Sequence, residues 1–158
     1  MKTTIHRGDA VSVLQRLAPQ SVQCIVTSPP YFGLRSYLSD GHPDKSKEIG
    51  REQTPAAYVA GLVAVFAECW RVLRDDGLLF VNIGDSYANS ATSERLSYGG
   101  LSGSNALNPR ERVLAETIGL PPKSLIGIHW RLAFALQDAG WILSSDIIWS
   151  KANCIPES

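Results

Sequence analysis

Four short runs of apolar residues, rich in β-branched and aromatic side chains, are the clearest pattern along the chain. They lie at Thr3–His6, Val22–Thr27, Leu78–Ile83 and Trp141–Trp149. Runs of this length and composition predict β-strands. Their apolar residues follow one another almost without a break instead of alternating with polar ones, as in strands that are covered on both faces. The pattern therefore favours a parallel sheet with helices on both sides.

The segments between these runs have apolar residues at helical spacing. We predict helices over Ala10–Leu17, Ala56–Leu73 and Leu125–Asp138. Residues typical of helix ends flank them: Asp9, Thr54 and Ser124 as N-caps, Pro55 in a first turn, and Gly77 and Gly140 after the C-terminal ends. Alternating strands and helices predict an α/β fold, in which ligands bind beyond the carboxyl ends of the strands.

Composition narrows the class of protein. The chain has 158 residues, of which 44% are hydrophobic, as in one globular domain. Lys and Arg total 15, as do Asp and Glu, and this zero net charge argues weakly against a chain that holds nucleic acid by charge alone. The apolar runs are too short to cross a bilayer and Met1–Asp9 lacks a signal-peptide layout, so we expect a cytoplasmic protein without membrane contact. Cys24, Cys69 and Cys154 fit neither a disulfide framework nor a metal site.

The sequence Ser28-Pro29-Pro30-Tyr31 directly follows the apolar run that ends at Thr27. Each proline fixes its φ angle and lacks a backbone N–H. The Ser28 hydroxyl and the Pro29 carbonyl can then act as two rigid acceptors for the two hydrogens of an exocyclic amine, whose lone pair is directed outward to an electrophile. The ring of Tyr31 offers a flat face on which a base can stack. The alternative is that the prolines only end a strand and that Tyr31 packs in a core.

This motif resembles the catalytic motif of the DNA methyltransferases that modify the N4 atom of cytosine or the N6 atom of adenine. Further blocks are similar to those enzymes in order and spacing: Gly8-Asp9 before the motif, and Leu78–Tyr87 and Leu120–Lys151 after it. The order is that of the permuted members, in which the catalytic half precedes the cofactor half. The resemblance implies a Rossmann-like methyltransferase fold, S-adenosylmethionine as methyl donor, and double-stranded DNA from which the target base is flipped.

The resemblance also implies roles for single residues. Ser28, Pro29, Pro30 and Tyr31 would be catalytic, Asp9 and Thr27 would bind the cofactor, and Asp85, Trp149, Lys151 and Asn153 would bind the substrate. Three of these residues have structural alternatives, namely Asp9 as a helix N-cap, Asp85 in a turn and Trp149 in the core. No side chain stands out as a general base, which agrees with a product ammonium that loses its proton after the transfer.

One segment of the family pattern is missing. Related enzymes carry Phe-x-Gly-x-Gly after a strand, where only glycine lets the backbone approach the cofactor closely, and no such segment occurs here. We interpret residues 1–158 as the catalytic half of a methyltransferase domain, with irregular loops at Gly33–Gln53 and at 88–123. A missing C-terminal half or a second subunit is the expected partner. The strand at Trp141–Trp149 would then leave an open edge, which predicts a marginally stable or self-associating chain.

The target base and the activity have alternatives. Serine at position 28 favours cytosine N4, and adenine N6 is the alternative because serine also occurs among the adenine enzymes. An inactive remnant, or one subunit of a split methyltransferase, is a second alternative. Enzymes that act on RNA or on protein glutamine use a similar motif, usually with asparagine in place of the serine, so Ser28 argues against them.

Overall fold

The computed structural model describes residues 3–34, 36–88, 118–150 and 152. Along the chain its elements are helix α1 (Ala10–Leu14), strand β1 (Val22–Thr27), a 3-10 turn (Lys45–Lys47), helix α2 (Pro55–Val72), strand β2 (Leu73–Val81) and helix α3 (Ile128–Asp138). All three predicted helices and two of the predicted strands are confirmed, β1 with the predicted bounds and the others with shifted ends. Gly77, expected just after a helix, lies inside β2.

The two strands form a parallel pair, with Ile25 opposite Leu79 and Thr27 opposite Val81. α2 provides the crossover that two parallel neighbours require. Because the strands run in the same direction, both leave the sheet at one edge. The residues that follow Thr27 and Val81 therefore meet at that edge, and the α/β class is confirmed to this extent.

The helix α2 carries most of the core. Thr54 accepts a hydrogen bond from the backbone N–H of Ala57 at 3.2 Å, and Pro55 occupies the first turn, as predicted. The buried face of α2 contains Tyr58, Val59, Leu62, Phe66, Cys69 and Val72. By length and composition α2, with 18 residues and a mean hydropathy of 1.3, could cross a membrane, contrary to the sequence expectation. Its packing against Phe32 and Leu132 accounts for its apolar character as that of a core helix.

The short helix α1 ends at Leu14 instead of Leu17. Its N-cap is Asp9, as predicted, whose carboxylate accepts from the backbone N–H of Ser12. At the other end the guanidinium of Arg71 donates to the carbonyls of Leu14 at 2.8 Å and Leu17 at 3.1 Å. The carbonyls at a helix end lack partners within the helix, and that of Leu14 accepts here from Arg71 of α2 and from the backbone N–H of Leu17.

Two of the predicted strands are wrong for this structure. Thr3–His6 and Trp141–Trp149 are not strands, and nearly all of their side chains are exposed. A strand persists where a neighbour satisfies its backbone N–H and C=O groups. Within the described residues, β1 and β2 pair only with each other, so neither run has such a neighbour.

The helix α3 begins at Ile128 instead of Leu125, and Ser124 is not its N-cap. Gly127 occupies the cap position with a φ of 75°, a left-handed conformation that glycine adopts without strain. The missing capping side chain is replaced from elsewhere in the fold: the Asp85 carboxylate accepts from the backbone N–H groups of Gly127 and Ile128, both at 2.9 Å. A long-range cap of this kind leaves no signal in the sequence next to the helix.

The sheet has one covered face and one open face. Ile25, Leu79 and Val81 pack against the core. On the other face the register partners Val26 and Phe80 are 77% and 44% exposed. We call this the open sheet face, made of Cys24, Val26, Leu78 and Phe80. The expectation of helices on both sides is therefore not met within the part of the chain that the structure describes.

Candidate active site

The motif Ser28-Pro29-Pro30-Tyr31 leaves the sheet at the carboxyl end of β1. The backbone N–H of Asn82 donates to the carbonyl of Thr27 at 2.9 Å, which extends the strand pairing by one residue. The segment after β2 consequently begins beside the motif. This is the edge at which an α/β sheet binds its ligands, as the sequence predicts.

Hydroxyl groups from two other elements hold the backbone of the motif. The Tyr58 hydroxyl of α2 donates to the Pro30 carbonyl at 2.7 Å, and the Ser86 hydroxyl donates to the Phe32 carbonyl at 3.0 Å. Burial raises the pKa of Tyr58, so the phenol keeps its proton and remains a donor. The rings of Phe32 and Tyr58 are in contact, with centroids 5.3 Å apart.

Two glycines let the motif pack closely against its neighbours. A Cβ at Gly84 would lie 2.9 Å from Cε2 of the Tyr31 ring, so the ring rests on the backbone after β2. A Cβ at Gly50 would lie 3.0 Å from the Tyr31 carbonyl oxygen, and the φ of +94° at Gly50 is one that glycine adopts readily. The half-buried ring of Tyr31 is thus fixed on one side.

Ser28 and Pro29 differ from Pro30 and Phe32 in the hydrogen bonding of their acceptor oxygens. The Ser28 side chain is exposed, and Pro29 is half-buried. Among the described residues, none donates a hydrogen bond to the Ser28 hydroxyl or to the Pro29 carbonyl, whereas the Pro30 and Phe32 carbonyls are both occupied. The motif therefore presents two free acceptors next to an aromatic ring.

The loop Gly33–Gln53 is irregular, as predicted, and it is organised around Glu48. This carboxylate accepts from the backbone N–H groups of Tyr37 and Leu38 and pairs with the Lys45 ammonium at 3.2 Å. Burial raises the pKa of Glu48, but these hydrogen bonds outweigh burial and hold the pKa below its ordinary value. Near the C-terminal end of the loop, the carbonyl of Gly50 accepts from the backbone N–H of Gly33 at 2.9 Å, directly against the motif.

Asp9 acts as a helix cap and retains a free oxygen. Both the backbone N–H and the hydroxyl of Ser12 donate to Oδ1 of Asp9, each at 2.9 Å, and the backbone hydrogen bond is the main cause of the lowered pKa of Asp9. Oδ2 takes no part in the two hydrogen bonds from Ser12, and Asp9 is exposed. The cap and a contact with a cofactor amine are therefore compatible, because they use different oxygens. Thr27 lies half-buried at the end of β1.

The predicted substrate-binding residues are not all brought together. Asp85 is 11% exposed through its side chain and caps α3, with Nδ1 of His129 4.0 Å from its carboxylate. Trp149 is 76% exposed, outside the sheet and outside the core. Lys151, Asn153 and most of the loop 88–123 lie outside the described residues. Among the residues that are described, no group of His, Cys, Asp or Glu side chains is arranged to hold a metal ion.

Three residues of this site were missed by sequence analysis. No functional role was assigned from the sequence to Tyr58, Gly50 or Gly84. A glycine directly after a strand indicates a close approach of another group, and this signal could have identified Gly84. The contact of Tyr58 with Pro30 joins residues 28 positions apart, which no local pattern reveals.

Comparison with known proteins agrees with the resemblance. The family model of the DNA methylases of the N6/N4 type matches residues 22–158. The Type II methyltransferase M.XycI of Xanthomonas campestris pv. cyanopsidis is 48% identical over 99% of this chain and 49% of its own length. M.Cfr9I of Citrobacter freundii is 49% identical over 98% of this chain and 48% of its own length. M.SmaI of Serratia marcescens is 45% identical over 96% of this chain and 48% of its own length. The chain thus spans about half the length of these curated relatives. No solved structure gives a significant match.

Proposed function

Because the chain belongs to the N6/N4 DNA methylase family, we propose that it carries the target-base site of an enzyme that methylates an exocyclic amine in double-stranded DNA. The observation that carries the proposal is the pair of free acceptors, Ser28 and Pro29, beside the ring of Tyr31 at the carboxyl edge of the sheet. The relatives are named as Type II methyltransferases, which supports action on DNA within a restriction–modification system.

The site residues would act by orientation. A base flipped out of the duplex stacks on Tyr31, since an amine on the pairing edge is inaccessible inside the helix. The Ser28 hydroxyl and the Pro29 carbonyl each accept one hydrogen of the amine, which leaves the nitrogen lone pair free to form the new N–C bond. Correct placement of the two reacting atoms can supply most of such a rate enhancement. The proton of the product ammonium leaves afterwards to solvent.

S-adenosylmethionine is the proposed methyl donor, because it supplies an electrophilic methyl group whose sulfur leaves as a neutral thioether. Oδ2 of Asp9 is free to accept a hydrogen bond from the adenine amine of this cofactor, and Thr27 lies next to the motif at the end of β1. These two residues do not form a complete cofactor site. We therefore propose that a C-terminal half or a second subunit adds a glycine-rich segment and completes a Rossmann-like fold in the cytoplasm.

The proposed assignments of single residues follow from this arrangement. Asp85 lies beside the Gly84–Tyr31 contact, and we propose that it lines the substrate pocket while it caps α3. Trp149, Lys151 and Asn153 would contact the base or the DNA backbone. Ser28 favours cytosine N4 as the target, and adenine N6 is the alternative. Residues 1–158 would form the catalytic half, with the loop 88–123 inside it.

The proposal predicts that Ser28→Ala lowers the rate of methyl transfer by roughly 10- to 100-fold, because one of the two acceptors for the amine is lost. Tritiated S-adenosylmethionine and unmethylated DNA would be incubated with the full-length gene product, and the labelled nucleoside would be identified. Ser39→Ala, an exposed serine of the loop after the motif, is the matched control and should retain the wild-type rate. Absence of label from DNA with the wild-type protein would favour the inactive remnant instead.

The contact between Gly84 and Tyr31 leads to a second prediction. Gly84→Ala should lower the rate of methyl transfer about tenfold. The new Cβ would lie 2.9 Å from the Tyr31 ring and would displace the ring from its present position. Gly61→Ala is the control, since its Cβ would lie 3.7 Å from the nearest atom; within α2 it should raise stability by about 0.5–1 kcal/mol. The rate of methyl transfer and the thermal unfolding temperature would be measured for both variants. An unchanged rate in Gly84→Ala would show that the ring position is unimportant.

A further inference from the structure

The two prolines limit the hydrogen bonds that can hold the backbone of the motif in place. Pro29 and Pro30 have no N–H groups, so neither residue can be held in place by donating a hydrogen bond. Backbone hydrogen bonds can hold these two residues only through their carbonyl oxygens, with donors that come from other parts of the chain. A carbonyl used in this way is no longer free to accept a hydrogen bond from a substrate with the same geometry.

In this structure the hydroxyl of a buried tyrosine on α2 provides such a donor for Pro30. The Tyr58 side chain is fully buried, and its hydroxyl donates to the Pro30 carbonyl at 2.7 Å. The Pro29 carbonyl, one residue earlier, has no donor among the described residues. Because the ring fixes φ of Pro30, the angle between the Pro30 carbonyl and the preceding peptide plane depends only on ψ of Pro30, and the hydrogen bond from Tyr58 restricts that rotation.

We propose that Tyr58 is a positioning residue for the target-base site: by holding the Pro30 carbonyl, its hydroxyl sets the direction in which the Pro29 carbonyl points to the substrate amine. This inference rests on the proposed function. Tyr58 does not touch the base; it acts through Pro30. α2 thereby links the hydrophobic core to the geometry of the motif, because Tyr58 also contacts the buried ring of Phe32.

The first test is kinetic and uses the full-length gene product. Tyr58→Phe keeps the ring and its contact with Phe32 and removes only the donor. We expect kcat to fall roughly 10- to 100-fold, as for a small displacement of a reacting group, while KM for DNA stays within about twofold. The fall should persist at 10 °C, where the variant is fully folded. Recovery of the wild-type kcat at that temperature would overturn the inference, because Tyr58 would then be merely structural.

Cys69→Ala provides the matched control. Cys69 is buried on the same face of α2, and its truncation removes core contacts without touching the motif. It should lower the thermal stability and leave kcat unchanged. A fall of kcat in Cys69→Ala as large as that in Tyr58→Phe would show that any loss of core packing lowers the rate, and this would overturn the specific role of Tyr58.

The second test is independent of activity. Pro30–Tyr31 is the only Pro–Tyr peptide bond in the sequence, so a chain labelled with carbonyl-¹³C proline and ¹⁵N tyrosine gives a single peak in a spectrum that correlates both nuclei. The Pro30 carbonyl signal should move upfield in Tyr58→Phe and stay in place in Cys69→Ala. An unmoved signal would overturn the inference. Failure of the proposed function is distinguishable from this, because the wild-type protein would then transfer no methyl group while the carbonyl shift still occurs.

Discussion

Replacing Tyr31 by alanine should lower kcat/KM for methyl transfer by roughly 5- to 150-fold, which is the kinetic equivalent of the about 1–3 kcal/mol that base–aromatic stacking contributes. The ring is half-buried, with its Cε2 and Cδ2 atoms against Gly84, and its exposed part is the surface on which a flipped base can stack. Tyr31→Phe retains a flat ring in the same place and should keep most of the activity. The measurement is the initial rate of methyl incorporation at subsaturating DNA concentration.

The loop after the motif provides the control for this substitution. Tyr37→Ala removes an exposed tyrosine whose backbone N–H, but not its ring, donates to Glu48, and it should leave kcat/KM unchanged.

A double variant tests whether Gly84→Ala acts only through the Tyr31 ring. If it does, Gly84→Ala should cause little further loss of kcat/KM once Tyr31 is alanine, because the effects of two substitutions at one contact do not add. Wild-type activity in Tyr31→Ala would exclude stacking of the target base on this ring.

The chemistry of the site could be predicted from the sequence because it is local. Rigid acceptors and an aromatic ring lie within the four residues Ser28-Pro29-Pro30-Tyr31, directly after a strand. Because β1 and β2 are parallel, these residues lie at the ligand-binding edge of the sheet. The helix α2 was predicted almost to the residue, since Thr54 and Pro55 mark its start.

What could not be predicted depends on contacts between distant segments. The donor to the Pro30 carbonyl comes from Tyr58, and the cap of α3 comes from Asp85, more than 40 residues away. The strands predicted at Thr3–His6 and Trp141–Trp149 have the right composition, but composition does not reveal whether a neighbour is present to pair with them. Apolar runs that lack such neighbours become exposed surface instead of core, and the behaviour of the isolated chain should reflect this.

The isolated 158-residue chain should self-associate in a concentration-dependent manner. The open sheet face presents Val26 and Phe80 side by side, and Ile147, Ile148 and Trp149 add further exposed apolar surface. Contiguous apolar surface of this kind drives association, because burying it removes apolar area from water at about 25 cal/mol per Å². Sedimentation velocity over a range of protein concentrations would measure the effect. A monodisperse monomer with one cooperative thermal transition would contradict the prediction.

The same experiment can locate the associating surface. Val26→Lys combined with Phe80→Lys adds two charges to the open sheet face and should shift the chain toward monomer, with a modest loss of stability because Val26 is largely exposed and Phe80 nearly half exposed. Ala60→Lys combined with Ala64→Lys adds the same charge to exposed positions of α2 and should leave association unchanged. Equal effects of the two pairs would mean that net charge, and not the sheet face, controls association. A selective effect of the first pair would locate the associating surface on the open sheet face.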